Sequence, residues 1–302
     1  MRSYSRAQLK LEMPLHLMLI PGLVLIFLFA YGPMVGVVIA FQHFLPGKGL
    51  FGSEWVGLDN FRYIYGLPDT MNVIRNTVFI AIMKIIAGLI APVITALLLN
   101  ELRRKAFKRT VQTLIYLPNF LSWVILSGVL LEVLSPSTGI VNEALGLFGI
   151  RPIFFLGDAG WFPFVMVGTD VWKDFGFNTI VYLAALTGIN PALYESAVID
   201  GASRWKMTLY VTLPGMLPII ILMMTLSLGQ VLNAGFDQIF NLYSPSVYET
   251  GDILDTYVYR IGLGNGQFGV ATAVGLFKSV ISLMLISVSY YLAYRLANYR
   301  IF

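Results

Sequence analysis

The chain has 302 residues, 57% of them hydrophobic and only 12% charged, with a mean hydropathy of +0.76. A soluble domain carries about 25% charge, so one polytopic membrane domain is indicated, not the roughly two soluble domains that length alone would suggest. The lack of cysteine excludes disulfides and thiolate sites, His16 and His43 are too few for a histidine-rich metal cluster, and the net charge of +4 lies beside apolar runs, where it orients membrane spans instead of marking nucleic-acid binding.

A helix needs about 20 mostly apolar residues to cross the hydrocarbon core. Six stretches meet that need, which predicts an all-α protein of six transmembrane helices. The first runs from Leu15 to Phe41. It is too long for a secretion signal and passes through Tyr31-Gly32-Pro33 without a small-residue cleavage site, so it reads as a retained span kinked at Pro33. Trp55 and Phe61 follow as interfacial aromatics on an outer segment. Asn76 is placed to cap the second span, Thr77 to Leu99. The third, Leu114 to Leu134, contains Pro118 as a kink site. The fourth, Trp161 to Leu186, is interrupted by Asp170, Lys173, Asp174 and Asn178. The fifth covers Leu213 to Leu232 and the sixth Val270 to Leu292.

Between the fourth and fifth spans lies one long polar interruption that reads as folded structure. It contains Tyr194-Glu195-Ser196-Ala197-Val198-Ile199-Asp200-Gly201-Ala202-Ser203-Arg204-Trp205 and closes on Leu213-Pro214. Asn190 caps a helix and Pro191 suits its first turn, giving a short helix from about Pro191 to Ile199. Gly201 supplies the freedom that a tight stop requires. Ser203 caps a second helix. Two short helices joined by a glycine turn make a knob that a partner can grip. A surface-lying amphipathic connector without a partner is the competing reading.

Basic residues set the orientation. Arg2, Arg6 and Lys10 precede span one; Arg103, Arg104, Lys105, Lys108 and Arg109 follow span two. Arg204 and Lys206 follow span four, and Arg295 and Arg300 end the chain. The odd connections carry Glu54, Asp59, Asp158, Asp237, Glu249, Asp252 and Asp255 instead. The positive-inside rule puts both termini and the knob in the cytoplasm. The expected division is a cytoplasmic segment 1–14, a transmembrane domain 15–293 with the knob at about 190–212, and a cytoplasmic tail 294–302.

No nucleotide site is found. Gly47-Lys48-Gly49 lacks the leading glycine and following hydroxyl of a phosphate loop, and no hydrolase or zinc-protease motif occurs. Polar residues inside spans are the candidates for a solute pathway, because charge there is costly and faces a partner or a wet cavity. They are Lys84, Asp170, Trp172, Lys173, Asn178, Tyr182, Gln230, Asn233 and Lys278, with Asp174 beside them. Trp172 offers an aromatic face for the C–H side of a sugar ring. Helix packing and ion pairing are the competing roles. Two lysines facing a passage would favour acidic oligosaccharides such as uronates.

The knob resembles the EAA loop of ABC-importer permeases: Glu195-Ser196-Ala197, Gly201 in register and Leu213-Pro214 carry the likeness, with Ser196 where the family most often has alanine. Tyr31 to Gly36, Trp55 to Phe61 and Asn76-Thr77 resemble the sugar-importer branch. Leu99-Asn100-Glu101, Gln112 to Pro118, Ser122-Trp123-Val124 and Ile180 to Leu186 are similar to the MalF/LplB-like permeases for complex oligosaccharides and polysaccharide fragments, alginate-type permeases included.

The resemblance implies a type I importer permease working by alternating access. Tyr194, Glu195, Ser196, Ala197, Asp200, Gly201, Ala202, Leu213 and Pro214 would form the cytoplasmic coupling helix-turn-helix that docks on an ATPase. The implied partners are a second related permease, two ATPase subunits, an extracytoplasmic solute-binding protein and an oligosaccharide. No cofactor belongs to this chain, since ATP and Mg would sit on the ATPase. The same machine carrying a small sugar or glycerol phosphate is the alternative, followed by an ion-driven secondary transporter. The chain itself is expected not to be an enzyme.

Overall fold

The computed structural model describes the backbone of residues 6–297 and the side chains of residues 13–291. Arg2 and Arg300, and the side chains of Arg6, Lys10 and Arg295, lie outside the described residues. The chain divides into two compact units, residues 1–66 with 258–276, and residues 67–257 with 277–302.

The first unit opens with α1 (Arg6–Ile26). A five-residue π turn, Phe27–Tyr31, and a 3-10 stretch, Gly32–Phe41, continue it, so that 29 residues from Met13 to Phe41 form one apolar span. The expected kink at Pro33 is a change of helix type: the Gly32 N–H reaches back to the Phe27 carbonyl, and the chain tightens as Pro33 enters. Two short strands follow, β1 (Gln42–His43) and β2 (Glu54–Trp55), paired antiparallel with Gln42 opposite Trp55. Trp55 stacks on Phe41 with ring centres 5.7 Å apart, and Phe61 of α2 (Asp59–Gly66) packs on Phe41 at 5.5 Å. These rings therefore hold a small fold together, with Trp55 exposed and Phe61 half-buried.

The second unit is built on α3 (Asp69–Glu101) and α6 (Phe162–Thr187). Ala96, Tyr182, Leu186 and Met216 form a buried cluster where α3, α6 and α9 (Leu213–Leu228) meet. Asn76 does not cap the second span, contrary to the expectation from sequence. It lies within α3, and its Nδ2 donates to the Glu249 carbonyl at 2.8 Å and the Asp252 carbonyl at 3.3 Å. The helix starts earlier, at Asp69, whose carboxylate suits the first turn.

The third predicted span is broken. Residues 105–116 form α4 (Lys105–Tyr116), Leu117–Phe120 is a 3-10 turn, and α5 (Trp123–Val133) departs at 105°. Pro118 removes a backbone donor, and Ser122 then starts a new helix by accepting the Ile125 N–H at 3.4 Å. The fifth predicted span also shifts. One continuous helical run extends from Arg204 to Leu228, through α8 (Arg204–Met207), a π turn (Thr208–Thr212) and α9, and it ends before Leu232. Beyond it come turns at Gly229 and Gly235, then α10 (Phe236–Leu242). The last long helix is α11 (Phe268–Ala297). Among the described residues, four helical runs are long and apolar enough to cross a membrane, or five if the bent 105–133 pair is one span. The charges of α6 keep that helix out of this group although it has 26 residues.

Close packing of α4 on α6 depends on one glycine. A Cβ on Gly176 would lie 2.0 Å from the Ile115 carbonyl oxygen, a backbone atom that cannot rotate away. Gly176→Ala is expected to destabilise the protein by about 1–3 kcal/mol. Gly168→Ala on the same helix meets nothing within 4 Å and should be near neutral. Thermal midpoints of the two purified variants compare them, and equal midpoints would contradict the α4–α6 contact.

Candidate functional site

The knob is set by local sequence. The Asn190 side chain accepts the Ala192 N–H at 3.0 Å and starts α7 (Pro191–Ile199). The helix stops with the Gly201 N–H on the Val198 carbonyl at 3.0 Å and the Ala202 N–H on the Ala197 carbonyl at 2.9 Å. That paired closure requires a left-handed residue, and Gly201 has φ +72°. Ser203 accepts the Lys206 N–H at 3.4 Å and begins α8.

One contact closes the knob on itself and another ties it to α3. The Tyr194 hydroxyl lies 3.0 Å from Thr212 Oγ1, and Arg204 Nη1 donates to Glu101 Oε2 at 2.9 Å. Glu195, Ser196 and Asp200 are exposed; Tyr194, Ala197 and Ala202 are half-buried. Leu213 and Pro214 open α9 on the far side of the π turn. The apolar residues are the more informative ones: Ile199 is 85% exposed and Trp205 75%. Exposed apolar side chains on a charged connection are what a partner surface would cover.

The second site is a cavity of about 400 Å³ between α3, α6, the end of α9 and the segment 230–235. It gathers Lys84, Asp170, Asn178, Gln230 and Asn233 of the predicted pathway residues, and adds Asp174. Lys84 is buried and fully engaged. Its Nζ donates to Asp170 Oδ1 at 2.9 Å, to the Ala234 carbonyl at 2.8 Å and to Gln238 Oε1. Gln238 passes the link on, donating to the Met166 carbonyl at 2.8 Å and Thr169 Oγ1 at 2.7 Å. One ammonium thus ties α3, α6 and α10 together.

The other predicted residues lie elsewhere. Lys173 donates to the Asn119 carbonyl at 2.9 Å, lies 3.5 Å from Asp174 Oδ1, and sits 5.8 Å from the centre of the Trp123 ring. It braces α6 against the break between α4 and α5. Lys278 pairs with Asp255 at 2.5 Å. Tyr182 is 1% exposed, packed in the α3–α6–α9 cluster with its hydroxyl unpartnered among the described residues. Trp172 is exposed and does not line the cavity. Sequence reasoning missed Gln238 and Asn119; the latter donates to Asp174 Oδ1 at 2.9 Å. Asn119 lies inside the third predicted span and Gln238 beyond the fifth; both are polar on any hydropathy scale, but nothing local marks which neighbour each amide meets.

Long apolar helices around a polar cavity, with a rigid exposed knob on one of them, define a membrane transport subunit. Residues 88–301 match the family described as binding-protein-dependent transport system inner membrane component, and the chain belongs to that family. It is a permease subunit of an ABC importer with the type I importer fold. Two curated relatives come from Bacillus subtilis (strain 168). Protein LplB is 40% identical over 95% of this chain and 90% of its own. The polygalacturonan/rhamnogalacturonan transport system permease protein YteP is 40% identical over 92% and 87%. Two crystal structures of bacterial alginate ABC transporters align with it. One, of an importer of the acidic polysaccharide alginate, has TM-score 0.88 and 38% identity over 96% of this chain and 98% of that chain. The other, in complex with an alginate pentasaccharide-bound periplasmic protein, has TM-score 0.87 and 37% identity over 96% of each.

Proposed function

We propose that this chain carries oligosaccharides or polysaccharide fragments across the cytoplasmic membrane by alternating access, driven by partner ATPases. The observation that carries the substrate reading is near-full-length similarity to permeases named for polygalacturonan and to importers of alginate. The broken 105–133 pair and α6 complete a set of six spans, with both termini and the knob in the cytoplasm.

The drive would enter at the 191–212 knob. Tyr194, Glu195, Ser196, Ala197, Asp200, Gly201 and Ala202 face or shape the ATPase contact, and Leu213-Pro214 join it to the span. The run Arg204 to Leu228 supports this reading, because it is one continuous helix of 25 residues, about 37 Å long at 1.5 Å per residue. Its cavity end supplies Leu226 and Ser227 to the wall. Closure of an ATPase pair around ATP and Mg would move the knob, and the helix would carry that displacement to the cavity. A second permease supplies the opposite wall. An extracytoplasmic binding protein delivers the sugar.

The cavity wall favours hydroxyl contacts over carboxylate capture. Its charged lining residues are one lysine and two aspartates, Lys84, Asp170 and Asp174, and the lysine is already held by three acceptors. Lys173 and Lys278 are paired elsewhere. Asn178, Gln230, Asn233 and Ser227 present the donors and acceptors that sugar hydroxyls match. Carboxylates of an acidic chain would be met by the partner permease.

Vesicles holding this chain with its partner permease, ATPase and binding protein test the reading. Uptake of labelled oligogalacturonate or arabino-oligosaccharide should require enclosed ATP. Uptake driven by an ion gradient without ATP, or uptake of small solutes with no sugar, would overturn it.

A further inference from the structure

A second hollow lies in the unit of residues 1–66 and 258–276, separate from the membrane cavity. It encloses about 480 Å³, within the roughly 300–1,000 Å³ of small-molecule sites. Gln42, His43, Asp59, Asn60 and Tyr63 line it, and the 266–270 segment faces them with the Phe268 ring.

The walls are built, not loose. The β1–β2 pair fixes Gln42. Asn60 Nδ2 clamps the entry into that strand, donating to the Ala40 carbonyl at 2.9 Å and the Gln42 carbonyl at 3.0 Å. Gly269 lets α11 press against it, since a Cβ there would lie 2.4 Å from the Gln42 carbonyl oxygen. Phe44 meets Phe268 edge-on at 6.0 Å.

One polar atom in this frame is unused. Gln42 is 6% exposed, and its Nε2 donates to the Leu50 carbonyl at 2.9 Å. Its Oε1 is buried without a hydrogen-bond partner among the described residues. A buried acceptor left without a donor is destabilising, and such groups in native proteins have a reason. The neighbouring groups are an imidazole, a carboxylate, an amide, a phenol and aromatic rings. This mixture of donors, acceptors and flat apolar faces suits a ligand with hydroxyls on its edge and C–H groups on its faces.

We propose that the hollow is a saccharide subsite that holds one sugar residue of a longer chain, a small rotation of the Gln42 amide turning Oε1 to a sugar hydroxyl. This rests on the oligosaccharide reading above. The segments that form it follow the first span and precede the last. The expected orientation puts both outside the membrane, where an incoming chain arrives.

The test uses the assembled transporter in vesicles with Tyr63→p-benzoylphenylalanine and a tritiated pentasaccharide, neutral in one series and uronic in another. Irradiation should attach label to this chain, and unlabelled pentasaccharide should compete it away. Gln42→Met should reduce that attachment about tenfold. Tyr63→Ala, which shortens a wall residue of the hollow, should raise the KM for pentasaccharide severalfold with a smaller effect on kcat. Cross-linking to the partner permease or binding protein in place of sugar would overturn the subsite and make the hollow a protein interface. Unlabelled chain with full sugar uptake would also overturn it while leaving the transport reading intact. Loss of sugar uptake in the unmodified complex would instead defeat the transport reading itself.

Discussion

Lys84→Met should lower the thermal midpoint of the assembled transporter by roughly 5–10 °C, the largest stability effect expected of a single side chain here. The ammonium is buried and satisfies Asp170, Gln238 and the Ala234 carbonyl at once. Methionine fills much of the volume but leaves a carboxylate and two other acceptors without their donor. Removing one partner of a buried ion pair typically costs about 3–5 kcal/mol, because the remaining charge is uncompensated. Adding Asp170→Leu removes that charge, so the double variant should recover part of the loss. Heating the purified complex and measuring what still elutes as intact assembly checks both variants. A midpoint unchanged by Lys84→Met would mean that the three contacts do not form.

The knob was legible because everything that makes it is local. Asn190, Pro191, Gly201 and Ser203 each act on backbone within a few residues, and the structure gives each of them that local part. The cavity was legible only in part. Sequence marks a polar residue in a span but not which way its helix is turned. Lys84, Asp170, Asn178, Gln230 and Asn233 face one hollow, whereas Lys173 on the same helix as Asp170 turns to Asn119. Tyr182 was attractive as a hydroxyl, yet its ring packs with Ala96 and Met216.

Helix ends inside apolar sequence were also hidden. Pro118 announces a kink, but the 105° break needs Ser122 to start a new helix, and hydropathy reads straight across both. Leu232 looks like span because it is apolar, while the chain has already turned at Gly229. The Ser203 cap announces a helix starting at Arg204, but its run through the π turn into α9 is hidden, because the charges of its first turn read as a separate surface helix.

Gly201→Val should leave a folded complex that binds sugar and fails to move it. The glycine stands at φ +72°, a conformation that costs an ordinary residue about 1–2 kcal/mol and a branched one more. Nothing lies within 4 Å of where its Cβ would go, so the fault is in the backbone and not in a clash. The turn would relax and re-aim α7 against α8. Tyr194–Thr212 closes the knob on itself and Arg204–Glu101 ties it to α3, so the displacement appears at the exposed apolar tip, Ile199 and Trp205. Glu195→Ala, exposed on the same helix, should weaken the ATPase contact with a smaller effect.

The central claim is that ATP hydrolysis by a partner is converted into sugar movement through this knob. Sugar uptake and ATP hydrolysis stimulated by loaded binding protein, measured together in vesicles of the Gly201→Val complex, test it most directly. Uptake and stimulated hydrolysis should both fall by at least tenfold while binding of the loaded binding protein persists. Uptake and stimulated hydrolysis equal to those of the unaltered complex would contradict it and reduce the knob to a passive connector.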